Sequence, residues 1–346
     1  MLRAGIIGAT GYGGVELIRL LSMHSEVGTP RVYSSSSEGT ALASLFPHLH
    51  QVELPLLESI DVPSIAENND VVFLATPAGV SAQLTPQLLQ TNVKVIDLSG
   101  DLRLNSAEQY QAWYKKQPAD AQTVEQAVYG LPEYNRELVK QAQVIANPGC
   151  YPTATLLGLL PLAKTDWVDP DTWIIDAKSG VSGAGRGVSL GVHYGELNES
   201  INAYKVGQHQ HTPEIEQVIQ EQTGKALLVQ FTPHLVPMTR GILATTYVKL
   251  KKQVSAAELQ EYYESVYKDE PFVRIRPFGS HPRTKEVSGS NFCDIALHLD
   301  ERTGRVIILS VIDNLIKGAA GQAIQNMNIM CGFEETAGLP KVPLYP

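Results

Sequence analysis

Leu2-Arg3-Ala4-Gly5-Ile6-Ile7, followed at once by Gly8-Ala9-Thr10-Gly11-Tyr12-Gly13-Gly14, decides the fold. The first six residues read as a short buried strand. After the glycines, Val15, Leu17, Ile18, Leu20 and Leu21 recur at roughly helical spacing, with Glu16 and Arg19 between them. Strand, glycine turn and helix in that order form a dinucleotide-binding start. The glycines let backbone approach a pyrophosphate, and the helix N-terminus supplies N–H donors and a favourable dipole. The spacing Gly8-x-x-Gly11-x-x-Gly14 departs from the commoner G-x-G-x-x-G, and a tight turn without ligand is the alternative reading.

Working outward, Arg31-Val32-Tyr33 reads as the next strand and ends in Ser34-Ser35-Ser36-Ser37. A fold that prefers NAD carries Asp or Glu about 20 residues after the glycines, to bind the ribose 2′-hydroxyl. Hydroxyls here can donate to a 2′-phosphate that a carboxylate would repel, so NADP is the expected cofactor. Glu38 stands close by, and a plain polar loop is the competing reading of the serines. Asp70 to Leu74 and Lys94 to Leu98 read as further strands, with Val80 to Gln90 helical between them. Their ends, Ala75-Thr76-Pro77-Ala78-Gly79 and Ser99-Gly100-Asp101-Leu102-Arg103, would lie on the ligand-binding edge of a parallel sheet.

Val144-Ile145-Ala146 reaches the same edge and runs into Asn147-Pro148-Gly149-Cys150-Tyr151-Pro152-Thr153, ahead of a helix expected from Thr153 to Leu162. A thiol at a helix start sits among unpaired N–H groups and the positive end of the dipole, both of which favour the nucleophilic thiolate. A small buried hydrophobe at a strand end is the other reading of Cys150.

Beyond Leu162 strands outnumber helices. Trp173 to Ala177, Leu227 to Phe231, Ile242 to Leu250, Asp294 to Leu299 and Val306 to Val311 read as strands, and Pro213 to Gln222 and Ala256 to Tyr267 as helices. The expected fold class is α/β, a Rossmann-type doubly wound sheet plus an α+β domain with a mixed, largely antiparallel sheet. Residues 1–149 and 313–346 are expected to form the nucleotide-binding domain, and 150–312 the catalytic and dimerisation domain. A last helix is expected from Asn314 to Met327, crowded with small residues at Gly318 to Gly321.

Two further segments carry chemistry. Lys178-Ser179-Gly180-Val181-Ser182-Gly183-Ala184-Gly185-Arg186-Gly187 reads as a second glycine-rich loop, after a strand ending at Ala177, suited to an anion or cofactor. Gly207-Gln208-His209-Gln210-His211-Thr212-Pro213-Glu214-Ile215 is the best source of a base. Alternation in an extended segment would put His209 and His211 on one side. A zinc site could use such a pair, but no third and fourth ligand of fitting spacing accompanies it, and no metal is expected. His193, His234 and His281 are isolated and read as structural.

The bulk properties set limits. Of 346 residues, 43% are hydrophobic and 18% charged, enough to bury a substantial core. The formal net charge of −9, with no Lys/Arg block, argues against nucleic acid. No ~20-residue apolar run suggests a membrane span. The start lacks the basic region of a signal peptide. Cys150, Cys293 and Cys331 are widely spaced and odd in number, which fits thiols in a reducing compartment, the cytosol.

Together the Asn147 to Thr153, Ser179 to Arg186 and Gln208 to Ile215 segments, with Asp313-Asn314-Leu315-Ile316-Lys317-Gly318-Ala319-Ala320-Gly321-Gln322-Ala323, resemble the N-acetyl-gamma-glutamyl-phosphate reductase family of arginine biosynthesis. The resemblance runs from the glycine motif to Asn326. That family is related to aspartate-semialdehyde dehydrogenase and, more distantly, to glyceraldehyde-3-phosphate dehydrogenase. The resemblance implies reduction of an acyl phosphate to an aldehyde by NADPH, through a thioester on Cys150. It implies His209 as the base, although the residues alone do not separate it from His211. It places Arg103 at the phosphate and His211 beside the substrate. Arg240, in Pro237-Met238-Thr239-Arg240-Gly241, is a candidate for the substrate α-carboxylate, and structural ion pairs are the alternative reading of both arginines. The implied cofactor set is Gly8, Thr10, Gly11, Tyr12, Gly13, Gly14, Ser34, Ser36, Thr76, Pro77, Ser179, Gly180, Ser182, Gly183 and Asn314, and the implied assembly is a homotetramer. A sister reductase acting on N-acetyl-aminoadipyl or aspartyl phosphate shares this chemistry, since one methylene is worth only ~1–3 kcal/mol of discrimination. A nucleotide-binding sensor would lack the nucleophile or the base, and the chain has candidates for both.

Overall fold

Strands of three or four residues with nearly every side chain buried persist only when both faces of their sheet are covered, which is the condition of a parallel sheet. The computed structural model describes residues 1–345. Its chain divides into two compact units. One comprises Met1–Pro148 with Ala319–Leu339, and the other Gly149–Gly318 with the tail from Pro340. Residues 313–318 thus lie in the second unit.

The first unit holds six strands: β1 (Ala4–Ile7), β2 (Arg31–Tyr33), β3 (Val71–Leu74), β4 (Lys94–Asp97), β5 (Ala127–Tyr129) and β6 (Val144–Ala146). All pairs are parallel, in the order β2-β1-β3-β4-β6-β5. Every residue of β1 and β3 is buried. Ile7, Val72, Leu74 and Val95 pack with Ile65, Ala82 and Leu88 from the helices Val62–Asn68 and Ser81–Leu88. Strand order reverses at β1, between β2 and β3, so the crevice beyond their carboxyl ends is where such a sheet receives a ligand. The edge strand β5 escapes sequence reading because three residues, two half-buried and one buried, are too few to show a period.

The second unit is built on a seven-stranded mixed sheet: β7 (Ile174–Gly180), β8 (Asn202–Ala203), β9 (Gln230–Val236), β10 (Ile242–Lys249), β11 (Val273–Ile275), β12 (Cys293–Asp300) and β13 (Arg305–Ile312). Their order is β11-β12-β13-β10-β7-β9-β8, with β7–β9 and β11–β12 parallel and the remaining pairs antiparallel. The mixed, largely antiparallel character is as expected. β9 begins three residues later than expected and runs on to Val236, because Pro233 and His234 hide its continuation.

The helix Cys150–Ala163 packs on β10, β12 and β13, and all its residues except Cys150 are buried. It begins at Cys150, not at Thr153, because Pro152 is tolerated within a first turn. Pro161 lies inside it and cannot donate to the Leu157 carbonyl one turn back. The Tyr267 hydroxyl donates to that carbonyl instead, at 2.5 Å, and the Tyr263 hydroxyl donates to Gly158 O at 2.7 Å. Both tyrosines come from the helix Ala256–Tyr267.

The final helix is a correction. A single π-turn, Ile316–Ala320, precedes an α-helix Gly321–Cys331, where one continuous helix from Asn314 was expected. Gly318 sits so close to Cys150 that a Cβ added there would be 2.8 Å from the cysteine Cβ. Widening the turn at small residues accommodates that approach.

Candidate functional site

In the first unit the glycine turn joins β1 to the helix Tyr12–Leu21. Gly8 has φ +89°, and a Cβ there would lie 2.3 Å from the Ala75 carbonyl oxygen, so only glycine fits between the ends of β1 and β3. Gly11 is the N-cap; it has no side-chain cap bond, and no acidic residue occupies the first turn. A Cβ on Gly13 would meet nothing within 4 Å. Open space before the uncapped amides of a helix start suits a pyrophosphate. Tyr12 is exposed. Ser34 is buried and its Oγ accepts from Ser36 N at 3.3 Å, while Ser36 itself is exposed.

Thr76 and Pro77 follow β3, and the Thr76 hydroxyl lies 3.2 Å from the Ser81 hydroxyl. Ser81 in turn donates to Asp97 Oδ1 at 2.6 Å. Burial pushes Asp97 up to about 6, although Ser81 and Ser99 donate to it. Asp101 accepts from Gly79 N and Ala82 N and from the Tyr110 hydroxyl at 2.6 Å, fixing the loop after β3. Sequence reading gave these carboxylates no part. Arg103, 6% exposed, donates from Nε to Asn147 O at 2.8 Å and from Nη2 to Leu98 O at 3.0 Å. It thereby braces the carboxyl ends of β4 and β6.

In the second unit Cys150 opens its helix, with Gly149 as N-cap. The next residue, Tyr151, is buried, and its hydroxyl donates to His234 O at 3.0 Å. Its ring stands edge-on to His209 (5.7 Å), His211 (6.0 Å) and Phe231 (5.4 Å). Tyr204 and Phe231 each lie 5.4 Å from the His209 ring. Four rings, two of them tyrosines, therefore surround His209 and keep water from it. Burial, helped by Lys205, lowers its pKa to about 3. Burial also raises both tyrosines, Tyr204 to about 12.

The two histidines meet as expected, at 4.8 Å between ring centroids, but by a different geometry. No extended segment carries them. Gln208 N donates to Lys205 O and Thr212 N to His209 O, making tight turns, and the helix begins at His211, two residues before Pro213. His209 Nδ1 accepts the His211 backbone N–H at 3.1 Å. The neutral ring therefore carries its proton on Nε2, a tautomer assigned from this bond. The helix Cys150–Ala163 packs against the helix His211–Thr223, and Tyr151, the residue after Cys150, meets both histidine rings.

The second glycine segment is partly strand. Lys178, Ser179 and Gly180 belong to β7, paired with β10, and a 3-10 turn follows at Val181–Ala184. Val181 N and Ser182 N donate to Met238 O and Thr239 O, so the turn leans on the 238–241 segment. Asn314 Nδ2 donates to Ser182 Oγ at 2.9 Å, while Asn314 Oδ1 accepts from Gly241 N at 2.7 Å. Arg240 pairs with the buried Asp313 at 3.3 Å. Ser179, Gly180, Ser182, Gly183, Arg240 and Asn314 thus form one cluster. Sequence reading missed Tyr151, Tyr204, Phe231 and Glu214 as parts of the site. For Glu214 a signal existed, one helical turn beyond His211.

Residues 3–142 match the family model described as the semialdehyde dehydrogenase NAD binding domain, and residues 150–314 the semialdehyde dehydrogenase dimerisation domain. The chain is 64% identical to N-acetyl-gamma-glutamyl-phosphate reductase of Brevibacillus brevis and 52% identical to that of Bacillus subtilis, each over 100% of both chains. Among solved structures, it resembles aspartate semialdehyde dehydrogenase II complexed with ASA from Vibrio cholerae (TM-score 0.72, 17% identity, 96% of this chain and 98% of that one). It also resembles aspartate semialdehyde dehydrogenase with NADP from Candida albicans (TM-score 0.70, 18% identity, 96% and 99%). These two likenesses concern the fold. The full-length identities, over a glycine turn, a helix-starting cysteine and a buried histidine pair, show that the chain belongs to the N-acetyl-gamma-glutamyl-phosphate reductases of the semialdehyde dehydrogenase family.

Proposed function

We propose that the protein reduces N-acetyl-glutamyl 5-phosphate to N-acetyl-glutamate 5-semialdehyde, releasing phosphate, as a step of arginine biosynthesis. The observation that carries the reading is the desolvated His209 and His211 pair packed on Tyr151, the residue after the helix-starting Cys150. Full-length relatives of that name support it.

Cys150 Sγ attacks the acyl carbon and phosphate departs with the electrons of the broken C–O bond, leaving a thioester. The helix-start amides face the developing oxyanion. NADPH, when bound, supplies the hydride that reduces the thioester. His209 holds the resulting alkoxide through Nε2–H, and collapse of that alkoxide expels the Cys150 thiolate and yields the aldehyde. His211 is the neighbouring candidate for taking the thiol proton at the outset. Arg103 is the candidate phosphate cation; the two carbonyl bonds from its Nε and Nη2 hold the guanidinium in a fixed plane. Arg240 is the candidate for the substrate α-carboxylate.

NADP over NAD rests on Ser34 and Ser36 beyond β2, where no carboxylate interrupts the serines. The match to a dimerisation domain supports a homo-oligomer, and four copies are the proposed assembly, which light scattering measures. A nucleophilic thiol must stay reduced, so the cytosol is the proposed compartment.

The test is the reverse assay: NADP reduction by N-acetyl-glutamate semialdehyde, with and without phosphate. Phosphate-dependent NADPH formation is expected. A preference above tenfold for the aminoadipyl or aspartyl semialdehyde would overturn the substrate assignment.

A further inference from the structure

From position 183 to position 208 no residue is buried. The stretch begins in the turn that carries Ser182 and ends just before the buried His209. Along it Val188, Leu190, Tyr194, Ile201 and Val206 stand 53% to 100% exposed. A single apolar side chain in water needs no explanation, whereas a concentration of them in one segment marks a contact surface.

The segment is folded. Val192 N and His193 N donate to Ser189 O and Leu190 O in a 3-10 turn. Leu197 N and Asn198 N donate to His193 O and Tyr194 O in a single helical turn. Asn202 and Ala203 then pair with Leu235 and His234 at the edge of the sheet. Glu199 and Lys205 hold φ of +60° and +47°, and among the described residues Lys115 alone shares that region without being glycine. Left-handed backbone at a bulky residue is costly and persists where its surroundings hold it. Both residues are exposed, so little of their own chain does so.

Three observations say what covers the segment. It lies wholly within residues 150–314, the match to a dimerisation domain. Its charges balance, Arg186 and Lys205 against Glu196 and Glu199, so the patch can meet a copy of itself across a twofold axis without net repulsion. Its length is that of one side of a standard interface, about 20–30 residues. A coenzyme phosphate calls for clustered cations, and an anionic membrane surface for an excess of them. The balanced segment offers neither.

We propose that residues 183–208 form an arm on which a second copy of this chain docks, with Leu190 and Tyr194, in adjacent turns midway along it, at the centre of the contact. This rests on the reading of the protein as a homo-oligomer and names the surface that makes it one.

Light scattering tests the arm in the full chain. A carboxylate buried in a contact without a partner is costly, so the double variant Leu190→Glu, Tyr194→Glu is expected to show about half the parent's mass, whether the parent is a dimer or a pair of dimers. Leu138→Glu, on the exposed face of a helix in the first unit, is the control and should keep the parent's mass. Circular dichroism and thermal melting confirm folding. A double variant with the parent's mass overturns the proposal, and one that keeps the mass while raising KM for NADP assigns the arm to the coenzyme instead. A fall as large in Leu138→Glu also overturns it. If the double variant does not fold, Val188→Glu decides alone: about half the parent's mass supports the arm and an unchanged mass overturns it. A monomeric parent sinks the homo-oligomer reading itself; an oligomeric parent with unchanged arm variants sinks only the arm.

Discussion

The backbone N–H of His211 donates to Nδ1 of His209 across 3.1 Å, and this bond determines what His209 can do. With Nδ1 occupied as an acceptor, the neutral ring presents a donor at Nε2. Reversing the tautomer would set two N–H groups against each other. On the proposed reading His209 steadies an oxyanion, a narrower task than the general base that the sequence resemblance implies for it.

That distinction is measurable. Glutamine places its amide near the position of Nε2 and can donate without accepting a proton, whereas asparagine reaches only as far as Nδ1. His209→Gln should therefore retain more kcat than His209→Asn, and the asparagine variant should lose about 10²–10³-fold, as oxyanion donors do. Equal loss in both would restore the base role. Because its pKa lies near 3, His209 stays neutral from pH 5 to 8 and contributes no acid limb to kcat there. A limb near 6.5 that vanishes in His209→Gln would contradict this.

Coenzyme choice is tested at the exposed end of β2. Ser36→Asp puts a carboxylate where the 2′-phosphate is expected, and like charges brought together cost several kcal/mol. The ratio of kcat/KM for NADPH over NADH should fall by at least about tenfold. An unchanged ratio would show that the serines do not contact the coenzyme.

Stability and pH are linked with opposite signs in the two units. Asp97 is raised from 3.8 to about 6 when folded, so between those values the native state holds a proton that the unfolded chain has released. Its contribution to stability falls as pH rises through that window and is level above it. His209 is lowered from 6.5 to about 3, so the unfolded chain holds the extra proton, and its contribution rises with pH between those values. Urea titrations from pH 4 to 7 should show Asp97→Asn steepening the rise of stability with pH and His209→Gln flattening it. Parallel curves for both variants would refute the two assignments.

The buried proline of the cysteine helix gives a stability test remote from the chemistry. Tyr267→Phe removes the hydroxyl that serves the Leu157 carbonyl left without a helical donor by Pro161. The cost should be about 1–3 kcal/mol by urea denaturation. Pro161→Ala restores an amide donor, so adding it to Tyr267→Phe should recover part of the loss. Full additivity of the two changes would separate them.

Much of this was legible in the chain itself. Buried strands followed by glycine turns announce a parallel sheet, because burial on both faces removes the polar alternation and leaves apolar runs such as Val71–Leu74. The cysteine turn and the His209, His211 pair stood out by residue type. What stayed hidden depends on contacts distant in sequence. The ring cage of Tyr151, Tyr204 and Phe231 draws on segments far apart in the chain, and no local period records it. The bond between Gly149 and Glu214 spans 65 residues. The π-turn at Ile316–Ala320 is likewise invisible locally, since the close approach of Gly318 to Cys150 that accompanies it joins residues far apart in the chain.

The helix that begins at Cys150 is buried on every side along the rest of its length. Elements enclosed in this way open only when the whole domain opens, and their amides exchange with solvent at the global rate. Loops that carry reactive groups ordinarily melt first, so that heat silences an enzyme before it unfolds. Here the thiol proposed as the nucleophile is mounted on one of the last parts to loosen. Loss of the thiol's setting and loss of the domain should therefore be a single event on warming.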